Sequence, residues 1–250
     1  MPTSSVTIEI DPNTKRVVRE GIPKELDPAA ASAVEEGLRL VEAHGGEVTV
    51  VTMGPADAVD DIRKALAMGA EKGIHITDEA LAGSDTLATA KALAAAIQKG
   101  EFEIVICATE ATDTYSGLVP GQIAEILGYP LLSFAKEVKV EGDKVTVHRQ
   151  SPGGYQVVEA ELPVLITTTS GINEPRYPSL KGIMGAKRKE VTQYAAADLG
   201  LAADQVGEAG AREKALTIGK PPAREAGQVI TDEGDGGIKI ADFLAELKVI

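Results

Sequence analysis

Glu103-Ile104-Val105-Ile106-Cys107 is the most continuous buried-type run in the chain, and the polar loop Thr109-Glu110-Ala111-Thr112-Asp113-Thr114-Tyr115-Ser116-Gly117 follows it closely. A short run that is apolar on both faces reads as a covered strand. Beyond the loop, Ile123, Ile126 and Leu127 recur at helical spacing until Gly128 and Pro130 stop them. The alternation extends upstream. Val48-Thr49-Val50-Val51 reads as a strand closed by Met53-Gly54-Pro55, and Val59, Ile62, Ala65, Leu66 and Met68 form a helical stripe ended by Gly69. Gly73-Ile74-His75-Ile76-Thr77 is the next strand, and Ser84 or Asp85 caps a helix lined by Leu87, Ala90, Leu93, Ala94 and Ile97. Strands alternating with helices predict an α/β, Rossmann-like layered domain with a largely parallel sheet.

The flanks complete the outline. Ala33, Val34, Gly37, Leu38 and Val41 form a helix that Gly45-Gly46 terminates, and Val6-Thr7-Ile8-Glu9-Ile10 alternates like a solvent-facing strand. Val138-Lys139-Val140 and Val145-Thr146-Val147 flank Glu141-Gly142-Asp143-Lys144, a β-hairpin insertion, and Pro163 to Thr169 returns to a buried strand. After Val191 the composition turns to Ala, Gly and acidic residues, with Pro221-Pro222 and Asp232-Glu233-Gly234-Asp235-Gly236-Gly237. This predicts a nucleotide-binding α/β domain over residues 1–194. Residues 195–250 then read as an extended C-terminal arm with a short amphipathic helix at Ile240, Phe243, Leu244 and Leu247, packing on another subunit.

Composition narrows the function. The 250 residues carry a formal net charge of −13, which sets acidic repulsion against any phosphate backbone and argues against nucleic-acid binding. An apolar share of 44% excludes general disorder, and 3% aromatic residues with no Trp leaves a core of Ala, Val, Ile and Leu. One cysteine and three scattered histidines argue against a structural metal site. Neither a membrane-length apolar run nor a targeting pattern is present, so the expected compartment is a reducing cytoplasm.

The loop after the best strand is where an open parallel sheet takes ligands. Ser116 and Thr114 offer hydroxyls, Gly117 permits close backbone approach, and a helix start near Leu118 presents free N–H groups. One reading is a nucleotide-phosphate cradle; the other is an ordinary helix start capped by Asp113, Thr114 or Ser116. Asn173-Glu174-Pro175-Arg176-Tyr177-Pro178-Ser179 leads into a helix in which Leu180, Ile183 and Met184 share one side. That side either returns to the core or forms an exposed docking anchor ringed by charge. Catalytic candidates are poor: Cys107 lies in a buried strand, His75 on one strand face, His44 at a helix end and His148 on the hairpin. No Ser/His/Asp or paired-carboxylate spacing is present, and the chain reads as a carrier or binding protein, not an enzyme.

Ala33-Val34-Glu35-Glu36, Gly54-Pro55, Ile62-Arg63-Lys64-Ala65-Leu66-Ala67-Met68-Gly69-Ala70, Ala111-Thr112-Asp113, Leu162-Pro163, and Asn173-Glu174-Pro175-Arg176-Tyr177 followed by Ile183-Met184 together resemble the beta subunit of electron-transfer flavoproteins over essentially the whole chain. The resemblance implies a heterodimer whose alpha subunit holds most of a redox-active FAD while this subunit contributes to the flavin interface and carries AMP. It implies electron transfer from acyl-CoA and related dehydrogenases to a membrane quinone oxidoreductase. Carried over, the AMP pocket would involve Asp27, Met53, Thr112, Asp113, Thr114, Ser116, Gly117, Leu118 and Val119. Leu180 falls at the family's dehydrogenase anchor, with Arg176, Tyr177, Ile183 and Met184 around it.

Departures from the family pattern qualify this picture. Gln150 stands where an acidic residue often follows the Arg, and Pro152-Gly153-Gly154 replaces an acidic-Gly-Gly turn. Thr114-Tyr115-Ser116 replaces the Gly-Asp-Thr of the electron-bifurcating branch, which binds a second FAD there, and this favours AMP. Family members also begin with an apolar strand before the stretch matching Ser4-Ser5-Val6-Thr7-Ile8. The expectation is therefore a central first strand not contained in residues 1–250, about a dozen residues of strand and turn. The alternatives are a stand-alone adenine-nucleotide-binding hydrolase-like protein, a bifurcating-type subunit with a second FAD, and a purely structural subunit.

Overall fold

β-Branched residues dominate the short runs Thr49–Met53, Ile104–Ala108 and Val164–Thr168, as suits strands of a parallel sheet flanked by helices. The computed structural model describes residues 9–18, 21–22, 24–219, 227, 229 and 232–249. The chain forms α1 (Pro28–His44), β1 (Thr49–Met53), α2 (Val59–Met68), β2 (Lys72–Ile76), α3 (Thr86–Ile97), β3 (Ile104–Ala108) and α4 (Val119–Leu127). There follow β4 (Leu131–Glu141), β5 (Lys144–Ser151), β6 (Gly154–Glu161), β7 (Val164–Thr168), α5 (Leu180–Ala186), β8 (Val191–Tyr194), α6 (Gly207–Gly210) and α7 (Gly236–Glu246). The mixed α/β architecture agrees with the layered, Rossmann-like fold expected from the sequence.

Two sheets carry the first unit. β1, β2 and β8 form a parallel sheet in the order β1-β2-β8. The other sheet runs β3-β7-β4-β5-β6, parallel across β3, β7 and β4 and antiparallel from β4 to β6. The expected hairpin is therefore two arms of a three-stranded meander, since β6 pairs along β5 from Gly154 to Glu161.

α3 and α4 lie on one side of the sheets. Ala90 and Ala94 of α3 pack with Ile123 of α4, Leu165 of β7, Val105 and Cys107 of β3, and Val51 of β1. Alanines at these positions let the helix approach the sheet closely. On the other side, Ile62, Leu66 and Ala67 of α2 pack with Ala186 of α5 and Val50 of β1. α1 covers the junction between the sheets: a Cβ on Gly37 would stand 3.6 Å from Val48 Cγ2 and 3.9 Å from Ile106 Cδ1. Among the described residues β1 pairs only with β2 and β3 only with β7, and every residue of both strands is half-buried, whereas β7, bonded on both sides, is buried throughout. No strand between β1 and β3 is among the described residues. The strand expected over Val6–Ile10 lies largely outside them too; Ile10 forms an antiparallel bridge with Val17.

The chain divides at Ala215/Leu216, later than the boundary expected at residue 195. Ala196, Leu199 and Val206 are buried with Ile76, Leu81, Ala92 and Ala96, so residues 195–211 fold onto this chain's own β2 and α3. Small residues make that close packing possible; it is the same composition that reads as an arm in the sequence. In the second unit, α7 is amphipathic and none of its residues is buried.

Candidate functional site

Parallel strands end together, and here the carboxyl ends of β1 and β3 open into the two loops expected to meet a ligand. The Ala111 carbonyl accepts the Tyr115 N–H at 2.9 Å, which turns the loop after β3; Tyr115 at φ 48° and Gly117 at φ 62° occupy the left-handed region. Such alternation turns successive N–H groups toward one concavity. α4 then begins at Leu118 without any side-chain cap, so neither Asp113, Thr114 nor Ser116 serves its first N–H groups. Among the described residues nothing accepts from the N–H groups of Ser116, Gly117, Leu118, Val119 and Gly121, and Pro120 has none to offer. The ordinary capped start is thus replaced by a bare, dipole-positive helix end that can receive an anion. A Cβ on Gly117 would have only Glu110 Oε2 near it, at 3.7 Å, so the approach is open.

Asp27 ties this loop to the scaffold. Its Oδ1 caps α1 by accepting the Ala29 N–H at 2.8 Å, while Oδ2 accepts both the N–H and the hydroxyl of Thr112, each at 2.8 Å. At the other end, Thr109 donates its N–H (3.1 Å) and its hydroxyl (2.9 Å) to the Thr168 carbonyl. Contacts that hold the Met53 loop include the Lys24–Asp57 pair, the Gly54 N–H donated to the Ile76 carbonyl at 3.0 Å, and wholly buried His75, whose Nε2 stands 3.1 Å from the Pro55 carbonyl. Met53 itself packs with Ile76 and the α3-side core. Asp113, Thr114, Ser116, Gly117 and Leu118 are exposed around the helix start, and Val119 is half-buried. The structure thereby brings the expected pocket residues to one end of the sheets. Asp27, Thr112 and Met53 are held within the scaffold, while no described residue accepts from the N–H groups at the start of α4.

The second expected site lies on α5. Ser179 caps this helix by accepting the Gly182 N–H at 3.0 Å, and Ala186 is buried against α2. Tyr177 is 94% exposed, Leu180 81% and Met184 70%, which discards the alternative that this side returns to the core. Arg176 behaves differently from these neighbours. It turns inward onto α1, with Nε 2.7 Å from Glu35 Oε2, Nη2 3.0 Å from Glu35 Oε1 and Nη1 2.5 Å from Glu42 Oε1.

Two further candidates, Cys107 and His148, lie within strands β3 and β5. Burial pushes the Cys107 thiol up to about 12, far from a nucleophile's range. His148 stacks on Tyr155 at 4.5 Å between ring centroids and places Nδ1 2.8 Å from Glu137 Oε2. Among the described residues no cluster of His, Cys, Asp or Glu is arranged to hold a metal ion, and no helix is long and apolar enough to cross a membrane. What sequence reading missed is the role of Glu35 and Glu36. Their only signal is a pair of adjacent carboxylates following the small, apolar first turns of α1, and both are buried beneath the segment that crosses them.

The uncapped start of α4, close to the half-buried Asp27, and the exposed apolar side of α5 thus lie in the same unit of the chain. A model of the electron transfer flavoprotein domain matches residues 14–199. The chain is 45% identical over 238 residues to the electron transfer flavoprotein subunit beta of Mycobacterium leprae, covering 93% of this chain and 90% of that one. It is 40% identical over 247 residues to the same subunit of Megasphaera elsdenii, covering 96% and 92%. It is 38% identical over 226 residues to the caffeyl-CoA reductase-Etf complex subunit CarD of Acetobacterium woodii, covering 90% and 86%. With matches of this extent, the chain belongs to the electron transfer flavoprotein beta-subunit family.

Proposed function

We propose that this chain is the AMP-carrying half of a soluble electron carrier, not an enzyme in its own right, and that it works in the cytoplasm as a heterodimer with an alpha subunit. The observation that carries the nucleotide reading is the uncapped start of α4, where no described residue accepts from the N–H groups of Ser116, Gly117, Leu118 and Val119. A phosphate is the ligand such a nest suits. The exposed Asp113 carboxylate, an acceptor only, suits a ribose hydroxyl or an adenine amine. AMP bound there is structural: it fills the loop and completes its hydrogen bonding. When bound, FAD held mainly by the alpha subunit supplies the redox chemistry; this chain's part is to shape one wall of the flavin site and to present Tyr177, Leu180, Ile183 and Met184 to acyl-CoA or related dehydrogenases. Electrons then pass to a membrane quinone oxidoreductase. The exposed apolar residues Ile238, Ile240 and Phe243 of α7, with Leu247 just past its end, are the surface by which the C-terminal unit joins the alpha subunit.

The alternative with an observation behind it is a second FAD in the same cradle. Tyr115, bulky and 66% exposed beside the nest, weighs against it. Acid extraction of the purified heterodimer followed by chromatography tests both. One FAD and one AMP per heterodimer is expected; two FAD and no AMP overturns the AMP assignment, and no adenine nucleotide beyond the FAD overturns the cradle.

A further inference from the structure

We propose that Glu35 is a positioning residue for partner docking: by gripping Arg176 it holds the segment that carries Leu180 in one place. The proposal rests on the docking role assigned to Leu180 above. Between β7 and α5 the chain crosses α1 as a strap, and α1 presents a polar, buried face to it: Ser32, Glu35 and Glu36 are all buried. Asn173 Nδ2 donates to the Ser32 carbonyl and to Glu36 Oε2, both at 2.9 Å. Three residues on, the Arg176 guanidinium meets Glu35 as a two-bond fork, and its backbone N–H also donates to Glu35 Oε2, at 3.2 Å. Arg39 Nε, one turn along α1, approaches Glu35 Oε1 at 3.0 Å.

Glu42 shares Arg176, but its side chain is 60% exposed against 4% for Glu35, so water screens the outer pair while the inner one sets the geometry. From Arg176 to Leu180 there is little slack. Pro175 and Pro178 fix their φ angles, and Ser179 is held as the cap of α5. The far end of the ridge is also fixed: Arg63 Nη1 donates to the Ala186 carbonyl at 2.7 Å and to the Lys189 carbonyl at 2.6 Å, and a Cβ on Gly182 would collide with the Ala67 carbonyl. An anchor side chain as exposed as Leu180 has no packing of its own to hold it. Its position is inherited from these two attachments, and a preorganised anchor binds better than a mobile one because less ordering is left to the moment of contact.

The test uses the intact heterodimer carrying Glu35→Gln, Leu180→Ala, or both, with a purified acyl-CoA dehydrogenase and octanoyl-CoA as electron donor. Glu35→Gln is expected to raise the KM for the carrier about tenfold with kcat unchanged, to speed amide exchange across residues 177–184 by about tenfold or more while β7 keeps its protection, and to add nothing in the Leu180→Ala background. Unchanged exchange across residues 177–184 overturns the proposal, as does a Glu35→Gln effect that multiplies fully with that of Leu180→Ala. A Leu180→Ala heterodimer with wild-type KM instead overturns the docking role, while the exchange measurement still decides whether Glu35 holds the strap. If Glu35→Gln yields no heterodimer, Arg176→Lys, which keeps the charge and loses the fork, carries the same readouts.

Discussion

Asp27→Asn separates two tasks that a single carboxylate performs. One oxygen caps α1 and the other receives two hydrogen bonds from Thr112. An amide has only one oxygen, so the variant keeps the cap, for which Asn is as good as Asp, and turns a donor toward Thr112. Hydrogen bonds to a charged group contribute about 1.5–3 kcal/mol each; the two from Thr112 share one oxygen in a half-exposed site, so their joint loss is about 2 kcal/mol. For a unit of this size that corresponds to a fall of about 4–8 °C in melting temperature. Asp27→Ala loses the cap as well, about 1 kcal/mol more. Freed at Thr112, the loop no longer holds its N–H groups in one concavity, and AMP retention should fall with stability. The assay is thermal melting of the heterodimer beside its nucleotide content after exhaustive dialysis. An Asp27→Asn heterodimer that melts like wild type and keeps stoichiometric AMP refutes the anchoring role. Loss of AMP with no change in melting would mean that Asp27 contacts the nucleotide directly.

Leu180→Ala should leave melting unchanged, because the side chain is exposed, and weaken dehydrogenase coupling by about 2 kcal/mol, roughly 30-fold in affinity; steady-state reduction kinetics measure it. Gly117→Val forces a β-branched residue to φ 62°, a strain of about 1–2 kcal/mol, and narrows the approach to the nest, so mass spectrometry of the native heterodimer should show less AMP and less assembled complex. Acid should loosen the strap. Burial alone raises the pKa of Glu35, but the hydrogen bonds from Arg176 and Arg39 outweigh it and hold it below the ordinary 4.5. Its stabilisation is therefore complete above about pH 4.5 and is lost as pH falls through the lowered folded value, so melting temperature should be flat down to about 4.5 and drop below it, less steeply in Glu35→Gln. Cys107 at about 12 should react with iodoacetamide at pH 8 about a thousandfold more slowly in the folded protein than in guanidinium.

The periodic elements were legible because their signals are local. Short β-branched runs gave β1, β2, β3 and β7, the stripes between them gave α1 to α4, and the caps at Asp85 and Ser179 stand where the residue types placed them. β6 escaped notice because Tyr155-Gln156-Val157 has no clean alternation of buried and exposed residues: all three side chains are exposed, and pairing with β5 alone makes the segment a strand. Residues 195–211 read as an arm because Ala and Gly carry no periodic signal, yet their small size is what lets them close against β2 and α3.

The amino-acid sequence by itself determined the order of strands and helices, the place of the loop between β3 and α4 and the family to which the chain belongs, since periodicity, caps and motifs are properties of neighbouring residues. Tertiary structure alone decided which faces meet protein and which meet water. Leu180, Ile183 and Met184 have the same helical spacing whether buried or exposed, and only the seating of α5 on α2 turns them outward. Glu35 has the same place on α1 whether solvated or buried; it is the strap, 141 residues away along the chain, that covers it and gives its charge a partner. Burial and pairing of this kind depend on contacts across long sequence separations, which no local pattern encodes.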